Sequence, residues 1–553
     1  LVRDSTPFAQ AMARNLRQKQ GLFVAFDNFL ATLWEARGEG SLDIEKTLSA
    51  YARLQPALHP KLASYTLDTD AWGYAVNRLP ADITRAHVYL LSKTVPTILR
   101  GLGCYATEVT TRARRCMVWD LQNAKDLVLI REGATDFVDF VTMLCLHATE
   151  ARKLRRRVRS AELVNRLCAA SCSKNPAEEA AVLAELPLSE EERAGLAKVW
   201  PHDLIDRLKE ILLHHEDYSV FIDQALNDYN PDSAERWTEQ IRVAAEDFIG
   251  DLEGVQIDVI SSNTHSVVNC LSSGLHRERE RIFAWGAEAL PELATADFRH
   301  ECDRLYAMAY HYYKAHPGTH NSRLAHDAEN GILTLEDTEL TGIQVDLIDP
   351  SRLDPSLLDQ SLSIAPSQER RLIVNIDYAF GAQAEDIIRS LILLFGHSMR
   401  SINVLGKAGA FQGKRGDILL ATQVLHRWSE ELNAIGNEGL SAAKIQEESG
   451  ITVHQGPMLT VTGTLLQNRV LLNYYKRLWR CVGLEMEGTY YAREIERSRL
   501  LGLLPRELVT RFLYYVSDLP LNTDENLAES LAPWEGIPPL YATTRAVLSQ
   551  LLS

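Results

Sequence analysis

Acidic residues close two apolar, strand-like runs in the C-terminal part of this chain. Gly483-Leu484-Glu485-Met486-Glu487-Gly488 ends in two carboxylates at i and i+2, and Tyr514-Tyr515-Val516-Ser517-Asp518-Leu519 ends in one. Side chains two apart on a strand point to the same side. A charged group at the edge of an apolar core costs free energy unless it is paired or used. A third cluster, Gly406-Lys407-Ala408-Gly409-Ala410, follows the apolar run 402–405 and precedes Gly416-Asp417-Ile418-Leu419. Small residues there let a ligand approach the backbone and leave N–H groups for an anion or a sugar hydroxyl. Each cluster also has a plainer reading: a common Gly-x-x-Gly turn, an ordinary strand-end carboxylate at Glu487, and at Asp518 a helix N-cap for the Leu-Pro-Leu segment that follows.

To hold such groups at strand ends the surrounding chain must alternate strands with helices, and from residue 372 onward it does. Apolar runs of strand length at 372–376, 402–405, 418–424, 459–462, 482–486 and 512–516 are separated by helical patterns over about 383–395 and up to about 479. This predicts a three-layer α/β/α domain with a mostly parallel central sheet and a site at the carboxyl ends of its strands. Upstream, from 23 to 326, apolar residues recur at helical spacing, as in Leu204, Ile205, Leu208, Ile211 and Leu212, which predicts a large all-helical domain. Ser189-Glu190-Glu191-Glu192 has the form of a capping box, and Asn230-Pro231-Asp232 precedes another helical run. Gly331-Ile332-Leu333-Thr334 and 342–348 read as short strands, so the boundary is expected between 325 and 335, dividing the chain into 1–328 and 329–553. No fixed-period repeat supports a solenoid.

Taken in order, the C-terminal motifs resemble the nucleoside phosphorylase and nucleosidase superfamily, the group that includes purine nucleoside phosphorylase, methylthioadenosine nucleosidase and AMP nucleosidase. The resemblance covers roughly 372–518. The run 372–388 with Gly381 is similar to the family's strand-then-helix segment, and 406–424 to its Gly-x-x-Gly-Gly followed by Gly-Asp-Ile. Val461-Thr462-Gly463-Thr464 resembles the segment that passes the base, Glu485-Met486-Glu487-Gly488 the Glu-Met-Glu signature, and Ser517-Asp518 the Ser-Asp pair. The resemblance implies cleavage of the N-glycosidic bond of a purine nucleoside or nucleotide through an oxocarbenium-like sugar. It implies Asp518 as the group that protonates or hydrogen-bonds purine N7, and Glu487 as acceptor of the ribose 2′- and 3′-hydroxyls. Met486 would pack on the sugar and Thr462, Gly463 and Thr464 would lie along the base, while Gly406, Lys407, Ala408, Gly409, Glu485 and Ser517 complete the binding set. No cofactor or metal is implied; inorganic phosphate is the alternative to water as co-substrate. Two departures stand out. The opening strand with its phosphate-binding loop finds a poor match at 332–347, which favours water as nucleophile, and Lys407 stands where the family carries Ser, Thr or His. A catalytically silent nucleotide sensor on the same fold is the alternative reading, and an interaction protein built on the helical half is a third. The family's habit also implies a homo-oligomer.

Composition narrows the field. Of 553 residues, 58 are Lys or Arg and 74 Asp or Glu, so the chain lacks the basic footprint that duplex nucleic acid requires. The best apolar run, 391–395, is far short of the ~18–20 residues that span a bilayer. The first residues lack a signal core and an initiator Met, so the numbering is compatible with a start inside a longer product. Eight cysteines form no Cys-x-x-Cys pair, and a reducing, cytoplasmic compartment is the default expectation. Cys168 and Cys172 would share a helix face, most simply as small buried residues. The basic run from Arg152 to Arg159 reads first as a solvated helix face, with an anion contact or a subunit interface as alternatives. Histidines at 300, 311, 316, 320 and 326 lack the His-Glu-x-x-His spacing, and P-loop and Gly-x-Ser-x-Gly motifs are absent.

Overall fold

The Ser189 hydroxyl accepts the N–H of Glu192 at 3.1 Å while the Glu192 carboxylate accepts the N–H of Ser189 at 2.7 Å, so the capping box expected from sequence does open helix Glu190–Val199. In the computed structural model the described residues are 7–93, 107–109, 117–130, 135–214, 217–223, 232–335, 341–427 and 431–553. Cys104, Cys116, His215, Asn230 and Pro231 lie outside them. The chain forms two compact units. The first is Leu1–Tyr229 with Thr462–Asn473 and Asn526–Glu529; the second is Asn230–Val461, Tyr474–Glu525 and Ser530–Ser553.

The first unit is not all-helical. Strands β1 (Ser41–Asp43), β2 (Val88–Ser92), β3 (Thr107–Val109), β4 (Met117–Asp120), β5 (Lys125–Leu129) and β6 (Ser219–Ile222) make a six-stranded sheet in the order β1-β6-β2-β5-β4-β3. These strands are three to five residues long, too short for a period to distinguish them from buried helix in sequence. Helix Thr135–Arg157 carries most of the basic run, and that run is spent on local acids. Arg152 pairs with Glu45, Lys153 with Glu150 at 2.6 Å, and Arg157 with Glu192. Glu150 is fully buried and also takes a 2.8 Å hydrogen bond with His59 Nε2 and the N–H of Asp68 at 2.8 Å. Arg152, Lys153 and Arg157 are therefore not a solvated face, while Arg156 and Arg159 are exposed. Cys172 is exposed and Cys168 only part-buried on helix Ala161–Ser173, against the expectation of two buried thiols.

The second unit is built on β7 (Gln256–Ser262), β8 (Ile332–Leu335), β9 (Val345–Ile348), β10 (Arg371–Asp377), β11 (Met399–Ala410), β12 (Ile418–His426), β13 (Leu432–Ala434), β14 (Val453–Thr460), β15 (Gly483–Glu485) and β16 (Val509–Asp518). The order is β13-β12-β14-β15-β11-β7-β10-β9-β8, with β16 pairing β11 and β12. β7 runs parallel to both β10 and β11, so this unit begins a hundred residues before the change of texture at 330. What changes there is the return to the sheet after a helical excursion from 264 to 329. β7 is also an apolar strand, lying upstream of 332–347.

The sheet is mixed rather than mostly parallel. β7 with β10 and β11, β11 with β16, and β12 and β15 with β14 are parallel; β8 with β9, β9 with β10, β11 with β15, β12 with β13 and β12 with β16 are antiparallel. Both faces are covered. Leu372, Val374 and Ile376 face a core shared with helices Asp232–Ile249, Gly381–Phe395 and Gly488–Leu500, while Ile373 faces a second core with helices Thr264–Leu271, Glu301–Ala315 and Pro533–Leu551. This period-two division of an apolar strand is the signature of a three-layer sandwich. No helix among the described residues is long and apolar enough to cross a membrane.

Candidate active site

β11 carries the site. Its end runs between β16, paired parallel with Gly406 opposite Tyr514, and β15, paired antiparallel with Gly409 opposite Leu484. The β11–β16 register shifts between Ala408 and Gly409, so Asp518, not Ser517, stands opposite Gly409. Ser517 turns aside and donates its hydroxyl to Asp518 Oδ1 at 2.6 Å and to the Ala408 carbonyl at 3.3 Å. Both glycines are required by close approach. A Cβ at Gly409 would lie 3.0 Å from Asp518 Oδ2, and a Cβ at Gly406 would lie 2.9 Å from Glu487 Oε1 and 3.0 Å from the Tyr514 ring. Glu487 and Asp518 thus both reach the backbone of one four-residue stretch.

Glu485 does a different job. β15 ends at Glu485, strand alternation stops, and its carboxylate folds under the start of helix Gly488–Leu500. Oε2 accepts the N–H groups of Glu487 at 2.6 Å and Gly488 at 2.5 Å, and Oε1 accepts the Thr460 hydroxyl. The pair at i and i+2 therefore do not share a side, and Glu485 holds the turn into the helix. Glu487 turns the other way, with Oε2 accepting the N–H of Met486 at 3.1 Å. Met486 is half-buried, and its carbonyl accepts the N–H of Gly381, whose φ of 56° suits glycine.

Burial sets the electrostatics. It pushes the Glu487 carboxyl well above its ordinary value, and the neighbouring Glu485 pushes it further. Burial also raises Asp518, against the pull of the Ser517 hydrogen bond and the charges of Lys407 and Arg415. Lys407 itself is exposed, so its charge acts on Asp518 from the solvent side. Thr462, Gly463 and Thr464 were expected along the base. They belong to the first unit, where the Thr464 N–H donates to Asp139 Oδ1 at 2.9 Å and a Cβ at Gly463 would lie 3.0 Å from the same oxygen. Asp417 of the Gly-Asp-Ile motif clasps a turn, accepting the Lys414 N–H at 3.0 Å and bonding His454 Nε2 at 2.8 Å.

Sequence reasoning missed Tyr514. It is fully buried on the β16 face that carries Phe512 and Val516, its ring lies against Gly406, and its hydroxyl has no hydrogen-bond partner. Strand alternation marks the face, but only the β11 register brings the phenol to Glu487. Among the described residues no group of three or more His, Cys, Asp or Glu is arranged to hold a metal.

A family model matches residues 44–553, almost the whole chain. The chain belongs to that family, described as Family of unknown function (DUF6909). No curated protein matches it. Among solved structures, the DUF6909 chain is similar to futalosine hydrolase of Helicobacter pylori strain 26695, at 14% identity over 55% of this chain and 98% of that one with a TM-score of 0.30. It is also similar to the 5′-methylthioadenosine/S-adenosylhomocysteine nucleosidase of Helicobacter pylori, at 14% identity over 54% and 97% of the two chains with a TM-score of 0.29. The Campylobacter jejuni nucleosidase of the same name gives 12% identity over 54% and 97%, with a TM-score of 0.30.

Chemically, the β11 site of the DUF6909 chain offers one carboxyl group held toward its neutral form at each end of the short Gly406–Gly409 stretch. A neutral carboxyl donates a proton or hydrogen bond, and a carboxylate accepts from hydroxyls.

Proposed function

We propose that this chain cleaves the N-glycosidic bond of a purine nucleoside or nucleotide, with water as the favoured nucleophile. Asp518, whose carboxyl burial shifts toward the neutral form, donates to purine N7 as the bond to the sugar breaks. Glu487 accepts hydrogen bonds from the ribose 2′- and 3′-hydroxyls, and Met486 packs on the sugar. The observation that carries this reading is the approach of Glu487 and Asp518 to Gly406 and Gly409 of the same strand. The order of motifs along 372–518 supports the same reading.

The test is base release, read by liquid chromatography, from purine nucleosides, nucleoside mono- and triphosphates and methylthioadenosine, with and without inorganic phosphate. Release by wild type that is lost in Asp518→Asn and Glu487→Ala, both still folded, is the expected result. Dependence on phosphate would replace water by phosphate as nucleophile. Saturable binding with no release from any member would make the chain a nucleotide sensor and overturn the enzymatic reading.

A further inference from the structure

A second site lies on the opposite flank of the second unit's sheet, away from β11. A cavity of about 440 Å3 opens between β8, β9 and the end of β10 on one side and helices Thr264–Leu271 and Pro317–Glu329 on the other. That volume falls in the range of small-molecule pockets, ~300–1,000 Å3. Its helical wall presents Arg323 and its sheet wall presents Asp346, both buried.

Arg323 is locked in place. Its Nε donates to Ser272 Oγ and Asp327 Oδ2, each at 3.2 Å, its Nη2 donates to Asn269 Oδ1 at 2.9 Å, and its guanidinium lies 5.0 Å from the centre of the Tyr313 ring. These contacts leave Nη1 uncommitted on a guanidinium that lines the cavity. Asp346 is equally fixed, taking the Thr334 hydroxyl at 2.7 Å and Asn375 Nδ2 at 3.0 Å. Burial pushes Asp346 up to about 6, against the hydrogen bonds of Thr334, Asn375 and Gln344 and, more weakly, the Arg323 charge. Arg323 and Asp346 form no ion pair. His320 adds a buried Nδ1 without a hydrogen-bond partner on Arg323's side, and Asp377 adds a second carboxylate on Asp346's side. Val268, Leu324 and Leu335 supply apolar lining between them.

Arg323 shares its charge with Asp327 through Nε, and its remaining guanidinium face and the Asp346 carboxylate, fixed on opposite walls and not bonded to one another, are complementary to a ligand carrying both charges. A phosphate or a simple dianion would meet two carboxylates on the sheet wall, and a simple cation would meet the guanidinium. We propose that this cavity binds a free α-amino acid, with the ligand carboxylate on Arg323 and the ammonium group on Asp346 and Asp377. The side chain lies along Val268, Leu324 and Leu335. The site stands apart from the glycosidic reading and does not depend on it.

The experiment is calorimetry on the full chain with each of the free proteinogenic amino acids at millimolar concentration, with acetate, inorganic phosphate and methylamine as single-charge probes. Saturable binding of one or a few amino acids is expected. Their affinity should fall at least tenfold when the ligand's carboxylate is amidated or its amine acetylated, and be lost in Arg323→Gln. Because Arg323 also ties its helix to Ser272 and Asn269, Leu324→Trp, which fills the cavity and leaves those bonds intact, is the second variant and should abolish binding. No binding by any amino acid, binding indifferent to capping of either charge, or binding retained in Leu324→Trp would each overturn the proposal.

Discussion

Glu487 occupies the room that any side chain at Gly406 would need, since a Cβ there would stand 2.9 Å from its Oε1. Gly406→Ala should therefore displace the carboxylate and press on the Tyr514 ring. We expect a loss of about 1–3 kcal/mol of stability from overpacking, measured by urea denaturation, and a much larger fractional loss of base release than the stability change alone would give. Release at the wild-type level in the variant would contradict the placement of Glu487 against this strand.

Lys407 and Asp518 are coupled through charge. The lysine lowers the Asp518 carboxyl, which burial has raised. A general acid works only while protonated, so base release should decline as pH rises through the Asp518 value. Removing the lysine charge in Lys407→Ala lets that value rise further. The alkaline limb of the pH–rate profile should then move to higher pH, whereas a shift to lower pH would exclude Asp518 as the acid.

Thr460 holds the carboxylate that holds the helix. Its hydroxyl donates to Glu485 Oε1, lies 2.6 Å from the Thr489 hydroxyl and accepts the Thr489 N–H at 3.0 Å. Thr460→Val keeps the shape and leaves a buried carboxylate oxygen and a buried N–H without partners. The expected cost is about 1–3 kcal/mol, and Thr460→Ser should recover most of it in parallel urea titrations.

Burial pushes Asp139, in the first unit, up to about 7, far above the unfolded value of an aspartate, ~3.9. A raised carboxyl favours the fold while it is protonated in both states, and that contribution is lost as pH climbs from about 4 through about 7. Asp139→Asn retains an acceptor for the Thr464 N–H but cannot ionise. Its urea midpoint should fall less than that of wild type between pH 5 and pH 8; equal falls would remove Asp139 as a source of the slope.

Much of the second unit was legible in the sequence because its cues are local. The apolar runs at 372–376, 402–405, 418–424 and 512–516 all lie inside observed strands, and the helix expected from 383 begins at Gly381. Alternation of apolar residues and strand-end acids depends only on neighbours in the chain, so it survives reading one residue at a time. The same locality hid the sheet of the first unit, whose strands are too short to establish a period, and it misplaced the domain boundary. β7 pairs with β10 and β11 across more than a hundred residues, and no local pattern records that partnership.

Residue type and strand period are enough to mark Glu485, Glu487 and Asp518 as the chemistry-bearing residues that end the strands. Tertiary structure alone decided what each of them does. Glu485 is spent on backbone N–H groups because β15 stops where it does, and Glu487 reaches β11 because Gly406 leaves room. Asp518 replaces Ser517 opposite Gly409 because the register slips by one residue. Thr462, Gly463 and Thr464 fall to the first unit through Asp139, and Arg323 faces Asp346 only once a helix and a strand from separate stretches of chain are packed together. Hydrogen-bond direction, strand register and burial are properties of pairs distant in sequence, and those pairs exist only in the folded chain.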